Sequence, residues 1–237
     1  MKKFRFPEDG DVAADIRERY GFDGDLLDIY AGNEGVKVHK WHHYLPLYDR
    51  YFSQYRGTPV KFLEIGVNNG GSLQMWRRYL GKDAVLCGID INPDCAQYDG
   101  QSGMVRIGSQ DDPDFLAEVV KEMGGVDVVL DDGSHRMPHI ETSLRVLFPL
   151  LTDGGTYMIE DLHTSYYPRF GGGYDAPTNF FNTVRHMVDD MHNWYHSKKK
   201  LAVPELAKEF SGLHIHDSIV VIDKAAVQRP THSRVQN

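Results

Sequence analysis

Residues 60–161 alternate short apolar runs with longer segments of helical periodicity, and this alternation limits the fold more than any other feature of the sequence. Strand–helix–strand units of this length are typical of a parallel sheet with helices on both faces. Sheets that are covered on both faces have strands that are nearly continuous apolar runs, as these are. The sequence therefore predicts an α/β domain. Its strands are expected at 60–66, 85–91, 103–109, 126–132 and 154–161.

Helices are predicted between and after these strands. In 71–81, Leu73, Trp76 and Leu80 lie on one helical face. The segment 112–124 has a proline in its first turn and a glycine at its end, which are helix start and stop signals. Segment 212–224 instead predicts two antiparallel strands. Further helices are expected at 138–151 and 180–196, and the aromatic-rich segment 37–52 has helical spacing.

A chain of 237 residues corresponds to one large domain, or to one domain with an appendage. We expect residues 1–55 to form a helical segment that caps the edge or crevice of the sheet. Residues 56–226 are expected to form the main domain. Within it, the Gly- and aromatic-rich stretch 163–179 is a candidate lid loop, because loops of this length are usually functional. Residues 227–237 are expected to form a flexible tail.

Composition excludes several classes of function. The chain has 26 Lys and Arg against 34 Asp and Glu, a net charge of −8, and its one basic run, 197–200, is short. Nucleic acid is therefore not an expected partner. Because there is no 18-residue apolar stretch and no apolar region near the N-terminus, we expect neither a membrane span nor a secretory signal, and predict a cytoplasmic protein. The two cysteines form no CxxC pair, so neither a disulfide framework nor a thiolate metal site is expected.

A glycine turn follows the first predicted strand in "LEIGVNNGG" (63–71). Gly66 and Gly70 allow the backbone to turn tightly and to approach a ligand. The spacing E-x-G-x-x-x-G differs from that of a pyrophosphate-binding turn, and the carboxylate of Glu64 favours a cationic ligand. Asp90 ends the second strand, where an acidic residue can accept hydrogen bonds from ribose hydroxyls. With the loop 108–112 placed for an adenine ring, the pattern indicates S-adenosylmethionine.

Carboxylates also end the fourth and fifth predicted strands. Asp132 ends the fourth strand, and Glu160 and Asp161 end the fifth, 28 residues later, which is room for one helical crossover. Neighbouring strands lie about 4.8 Å apart, so these carboxylates would repel one another unless a cation neutralised them. An all-oxygen ligand set suits Mg²⁺, with Mn²⁺ as the alternative. The competing interpretation is a solvated acidic rim.

His135 follows Asp132 across a Gly–Ser turn and should overhang the same crevice. A neutral imidazole can accept a proton from a metal-bound hydroxyl near neutral pH. We therefore predict that His135 is the general base, against the alternative of an ordinary polar loop. His163 follows the second carboxylate pair and is the second candidate for base, or a substrate contact. The roles of His39, His42 and His43 stay open.

The motifs "LEIGVNNGGSLQMW", "GIDINP", "GSQDDPDFL", "VVLDDGSH" and "YMIEDLHTSYYP" together resemble the metal-dependent sugar O-methyltransferases, in particular those of macrolide deoxysugars. The related cephalosporin-hydroxylase-labelled group is also similar. The resemblance covers roughly residues 35–225. It implies a Rossmann-like class I methyltransferase fold with a mostly parallel, seven-stranded sheet and helices on both faces.

The resemblance also implies roles for individual residues. The metal ligands would be Asp132, Glu160 and Asp161, and the base would be His135. Substrate contacts are expected from His163, Tyr166 and Tyr167. The S-adenosylmethionine contacts would be Glu64, Gly66, Asn68, Ser72, Asp90, Ser109, Gln110 and Asp131.

The sequence thus predicts an O-methyltransferase that uses S-adenosylmethionine and Mg²⁺ to methylate a sugar hydroxyl. The acceptor would be a glycosylated natural product, a glycolipid or a polysaccharide, and the protein a homo-oligomer, either a dimer or a tetramer. Three alternatives stay open. They are a methyltransferase of vicinal-diol phenolics, an oxidoreductase or hydroxylase on the same fold, and a non-catalytic nucleotide-binding module.

Overall fold

The computed structural model describes residues 4–197, 201–204, 206–207 and 209–235, and contains one seven-stranded sheet of order β3-β2-β1-β4-β5-β7-β6. Strands β1 to β5 are parallel, whereas β7 runs antiparallel to both of its neighbours. The predicted α/β fold and the C-terminal strand pair are confirmed. The strands are β1 (Lys61–Ile65), β2 (Val85–Asp90), β3 (Met104–Ile107), β4 (Val126–Asp131), β5 (Leu151–Ile159), β6 (Phe210–His216) and β7 (Ile219–Lys224).

Seven α-helices accompany the sheet in the described part of the chain. The start and stop signals of the 112–124 segment act as predicted. The Asp112 side chain accepts hydrogen bonds from two backbone N–H groups of the first turn, and Gly124 ends the helix with a φ of 74°. The helices are α1 (Val12–Tyr20), α2 (Asp25–Ala31), α3 (Leu45–Phe52), α4 (Gly71–Leu80), α5 (Pro113–Met123), α6 (Met137–Leu150) and α7 (Phe180–Met191).

Two element boundaries differ from those predicted. Helix α7 ends at Met191 rather than near residue 196, because the side chains of His192 and Asn193 bond to backbone carbonyls of its last turn. Strand β5 begins at Leu151, three residues earlier than predicted, because Leu151 pairs with Val126 across a register shift. Residues 198–200 of the basic run, 1–3 of the cap segment and 236–237 of the tail lie outside the described residues.

Helices cover both faces of the sheet. Helices α5, α6 and α7 bury one face. The other face is buried by α4 together with the N-terminal helices, whose Tyr48 and Phe52 pack on Trp76 and Phe62. The segment predicted as a cap therefore contributes a whole layer of the core. Among the described residues, no helix is long and apolar enough to cross a membrane.

The sheet register brings the carboxyl ends of three central strands side by side. Ile65 of β1 pairs with Asp131 of β4, which pairs with Ile159 of β5. Residues that directly follow these strands therefore meet at one edge. This is the position of the ligand crevice in an open α/β sheet.

Candidate active site

A cleft of about 660 Å³ opens at the carboxyl ends of β1, β2, β4 and β5. Its volume lies within the range of small-molecule sites. Residues of the glycine turn, of the loops after β2 and β3, and of the turn after β4 form its walls. The N-terminal segment 37–41 forms a further wall. The cleft is therefore assembled from both parts of the chain.

The glycine turn after β1 requires glycine at Gly66. The residue has a φ of 99°, and a Cβ there would lie 2.2 Å from the carbonyl oxygen of Asp132. One carboxylate oxygen of Asp90 accepts hydrogen bonds from the backbone N–H groups of Val67 and Asn68, at 3.0 and 2.9 Å. Asp90 thus holds the turn and also lines the cleft. The turn and the end of β4 are in direct backbone contact, so their geometries depend on each other.

We expect Gly66→Ala to lower the free energy of unfolding by about 1–3 kcal/mol more than Gly57→Ala does. Both glycines have a positive φ, which costs any other residue about 1–2 kcal/mol. Gly57 has no heavy atom within 4 Å of a built Cβ, so it isolates this backbone cost, whereas Gly66 adds the overlap with Asp132. Urea denaturation of both variants measures the difference. Equal losses would show that the close approach at Gly66 is unimportant.

The structure divides the eight residues predicted to bind the cofactor into two groups. Glu64 and Asp131 are buried behind the cleft wall, where Glu64 accepts hydrogen bonds from Ser72 at 2.8 Å and from Trp76 at 3.2 Å. Burial raises the pKa of Glu64 to about 7, although Lys40 opposes the rise. The other six residues line the cleft: Gly66, Asn68, Ser72, Asp90, Ser109 and Gln110.

Asp131 supports the turn after β4 from behind. It accepts hydrogen bonds from Ser143 at 2.7 Å and from the Gln110 amide at 3.2 Å, and burial raises its pKa. The Gln110 carbonyl in turn accepts a hydrogen bond from the backbone N–H of Ser134 at 2.6 Å. The loop after β3 is therefore joined to the turn that carries His135.

Asp132, His135 and Asp161 converge at the mouth of the cleft, and one ligand atom from each lies within 4.8 Å of the others. The Nε2 of His135 is 3.9 Å from Asp132 Oδ1 and 3.6 Å from Asp161 Oδ2. The other oxygen of Asp161 accepts a hydrogen bond from Tyr44 at 2.8 Å. His135 and Asp161 both have left-handed backbone conformations, with φ values of 55° and 58°. Strain of this kind is common at functional sites.

This donor set fits a divalent cation. Asp132 and Asp161 each turn one carboxylate oxygen toward the same point, and oxygen donors are the preferred ligands of Mg²⁺ and Mn²⁺. His135 offers an imidazole nitrogen at that point, as a ligand or as a base. The predicted proximity of the strand-end carboxylates thus agrees with the geometry.

Glu160, the third predicted ligand, has its carboxylate turned inward. It is 2% exposed and accepts hydrogen bonds from Lys40, at 2.9 Å, and from Tyr48. Lys40 also donates to Asp132 Oδ2 at 2.5 Å. Burial and the charge of Asp132 raise the pKa of Glu160. Burial alone would lower the pKa of Lys40, but the neighbouring carboxylates of Asp132, Glu160 and Glu64 raise it above its ordinary value. A metal-ligand role for Glu160 stays a prediction.

The predicted substrate contacts lie beside the cleft rather than on its walls. His163 bonds through Nδ1 to the Ser218 hydroxyl at 2.8 Å, and burial lowers its pKa. Its buried Nε2 has no hydrogen-bond partner among the described residues, and its ring packs on Trp41 at 5.4 Å. The ring of Tyr167 is 6.0 Å from that of His163, whereas Tyr166 stacks on Phe181, away from the cleft.

The candidate lid is partly ordered into short helical turns. Single 3₁₀ turns cover Leu162–Tyr166 and Pro168–Phe170. The Thr164 hydroxyl contacts the carbonyl of His135 at 3.3 Å, and the Phe170 ring is 6.3 Å from the imidazole. The segment therefore already touches the residue predicted as base, while its function as a lid stays a prediction.

Sequence reasoning missed the residues that the N-terminal segment and α6 bring to this edge. Lys40, Trp41 and His139 line the cleft, and Tyr44 and Tyr48 bond to the carboxylates. The available signal was the excess of carboxylates, which requires positive charge. The sequence predicts only a metal ion as the source of that positive charge, because nothing in a sequence marks one lysine as buried.

The sheet and this edge have the features of a class I methyltransferase fold: a mostly parallel seven-stranded sheet, a glycine turn after β1, an acidic residue at the end of β2 and a cleft at the strand ends. Residues 63–162 match the family described as a methyltransferase domain. The predicted resemblance to methyltransferases is therefore confirmed for these residues.

Curated relatives confirm the predicted resemblance to sugar O-methyltransferases. The chain is 35% identical over 212 residues to 8-demethyl-8-(2-methoxy-alpha-L-rhamnosyl)-tetracenomycin-C 3'-O-methyltransferase of Streptomyces olivaceus, a match that covers 85% of this chain and 54% of the relative. It is 35% identical over 199 residues to demethylmacrocin O-methyltransferase of Streptomyces fradiae, covering 78% of this chain and 50% of the relative. The chain thus spans about half the length of the curated relatives it matches.

A solved structure gives the same result. The MycE methyltransferase of mycinamycin biosynthesis, in complex with Mg, SAH and mycinamycin VI, superimposes with a TM-score of 0.72 at 28% identity. The match covers 92% of this chain and 54% of MycE. The similarity therefore extends over nearly all of this chain.

Proposed function

We propose that this chain transfers a methyl group from S-adenosylmethionine to a sugar hydroxyl of a glycosylated small molecule, with the help of Mg²⁺. The observation that carries the proposal is the convergence of Asp132, Asp161 and His135 at the mouth of the cleft onto which the glycine turn opens. The relatives support it, because they are named as O-methyltransferases of glycosylated natural products. MycE supports the cofactor and the metal, since it was solved with Mg and SAH.

We assign the residues of the cleft to two tasks. The glycine turn, Asp90 and the loop after β3 would hold the cofactor, with Glu64 and Asp131 supporting them from behind. Asp132 and Asp161 would hold the ion, joined by Glu160 as predicted. When bound, S-adenosylmethionine supplies an electrophilic methyl group and Mg²⁺ supplies positive charge that favours an ionised hydroxyl.

His135 acts as the general base in this proposal. Its Nε2 accepts the proton of the acceptor hydroxyl, and the two neighbouring carboxylates stabilise the imidazolium that forms. Orientation of the acceptor lowers the barrier further. The ring nitrogens of Trp41 and His163 have no hydrogen-bond partner among the described residues, so they are suitable groups for hydrogen bonds to oxygens of the sugar substrate.

The segment 163–179 would close over the acceptor and exclude water. A cytoplasmic location, a homo-oligomeric state and the absence of a nucleic-acid partner stay predictions.

The test is a methyl-transfer screen with the purified chain, S-adenosylmethionine and Mg²⁺. Acceptors are rhamnosides and other glycosides that differ in the position of one free hydroxyl, with a catechol and a polysaccharide as comparison classes. We expect mass spectrometry to detect one added methyl group on a glycoside, and none on the matching deoxy-glycoside that lacks the target hydroxyl. Calorimetry should show S-adenosylhomocysteine binding. Transfer to the catechol alone would contradict the sugar assignment, and absence of cofactor binding would contradict the proposal as a whole.

A further inference from the structure

Lys40 is a buried cation at the centre of the strand-end carboxylates. Its side chain is 1% exposed, and its Nζ lies 2.5 Å from Asp132 Oδ2, 2.9 Å from Glu160 Oε1 and 3.8 Å from Glu64 Oε1. Glu64 lies within β1, and Asp132 and Glu160 directly follow β4 and β5, whereas Lys40 comes from the N-terminal segment. One ammonium group thus bridges three strands of the sheet.

The backbone of Lys40 is fixed as firmly as its side chain. The hydroxyl of Tyr30 donates a hydrogen bond to the Lys40 carbonyl at 2.9 Å and accepts one from its N–H at 3.3 Å. Both backbone groups are therefore held by one phenol of α2. The protein itself thus holds the Lys40 side chain in place, through hydrogen bonds to both its backbone and its ammonium group.

The two carboxylate oxygens of Asp132 face different groups. Oδ2 is bonded to Lys40, whereas Oδ1 faces His135 and the proposed ion position. Lys40 thereby fixes the direction in which Asp132 presents its free oxygen. It also places a positive charge on the inner side of the ion, and the two like charges repel at short range.

We propose that Lys40 is a positioning residue that acts as the fixed inner cation of the metal site and weakens the affinity of that site for the divalent ion. The inference rests on the proposed function, because it takes Asp132 and Asp161 as metal ligands. The repulsion between Lys40 and the ion keeps the ion away from Lys40, on the side of the carboxylates that faces His135 and the cleft. A lysine that merely packs in the core would have no such effect on metal affinity.

The experiment measures Mn²⁺ binding to the purified chain by electron paramagnetic resonance, without cofactor or acceptor. We expect Lys40→Met, which removes the charge and keeps the length, to bind Mn²⁺ at least about tenfold more tightly than the wild type. Lys40→Arg keeps the charge and should stay within about threefold of the wild type. Lys82→Met, at an exposed lysine outside the site, is the matched control and should change nothing.

Lys40→Gln is a second neutral variant that can still donate hydrogen bonds to the carboxylates, for use if the methionine variant does not fold. S-adenosylhomocysteine binding and the thermal midpoint verify folding for each variant. Unchanged or weaker Mn²⁺ binding in the neutral variants would overturn the inference about Lys40 and leave the proposed function standing. A wild type that binds no Mn²⁺ would overturn both the inference and the metal part of the proposed function. A wild type that binds Mn²⁺ but no S-adenosylhomocysteine would contradict the proposed function alone.

Discussion

Replacement of His135 by asparagine is expected to lower kcat for methyl transfer by about 10²–10⁴-fold, the usual contribution of a general base. Its Nε2 is within 3.9 Å of carboxylate oxygens on both sides, at the mouth of the cleft. Asparagine is the appropriate replacement because the φ of 55° disfavours most side chains, whereas asparagine tolerates the left-handed region. The variant should therefore keep the turn intact while it lacks a group that accepts a proton near neutral pH.

The measurement is single-turnover methyl transfer with the best acceptor of the screen, together with calorimetry of S-adenosylhomocysteine. Cofactor affinity is expected to stay within about twofold of the wild type, because the cleft residues assigned to the cofactor are unaltered. His186→Asn, at an exposed histidine of α7, is the matched control and should retain full activity. Full activity in the His135 variant would exclude this residue as the base.

Removal of divalent ions is expected to lower the rate of methyl transfer at least as much as the His135→Asn substitution does. Without the ion, Asp132 and Asp161 present two carboxylate oxygens to the acceptor hydroxyl, and their negative charge opposes its ionisation. EDTA treatment followed by gel filtration should leave less than about 1% of the initial rate, since a metal ion contributes several kcal/mol to such a step. Addition of Mg²⁺ or Mn²⁺ should restore the rate.

The control for chelation is cofactor binding. Glycine-turn residues and Asp90 line the cleft and are not among the proposed ion ligands, so S-adenosylhomocysteine should still bind after chelation. Asp161→Asn offers an independent test, because its side chain keeps the left-handed backbone but loses the charge. An activity that survives thorough chelation and is normal in Asp161→Asn would contradict the metal assignment.

Most of the fold could be predicted from the sequence, because its signals are local. Apolar runs bounded by glycine and by helix caps define β1 to β5 and α4 to α6, and the rule for parallel strands then places Asp132 and Asp161 at one edge. One of the two boundaries that differ from the prediction depends on a contact between distant positions of the chain. The early start of β5 at Leu151 requires its partner Val126, and no local pattern contains that information.

The site could be predicted only in part, for the same reason. His135 and the strand-end carboxylates follow strands, so topology alone brings them together. The partners from the N-terminal segment do not follow strands, so the sheet topology does not predict where they lie. Lys40 and Tyr48 reach Glu160 across 120 and 112 positions of the chain, and a sequence gives no measure of such contacts. Glu64 and Asp131 are predicted to bind the cofactor, and the structure shows both of them buried; a carboxylate near a strand end looks the same in sequence whether it faces the cleft or the core.

The Tyr30 clamp on Lys40 limits how enzymes of this kind can be recombined. A chimera that takes its first 55 residues from a relative and the remainder from this chain would join Lys40 of one protein to the carboxylates of another. The exchanged protein would fold correctly only where the segment from the relative has a cationic side chain at the position of Lys40 and a tyrosine at the position of Tyr48. A crossover point is therefore better placed before α2, so that Tyr30 and Lys40 stay together, than at the boundary of the sheet.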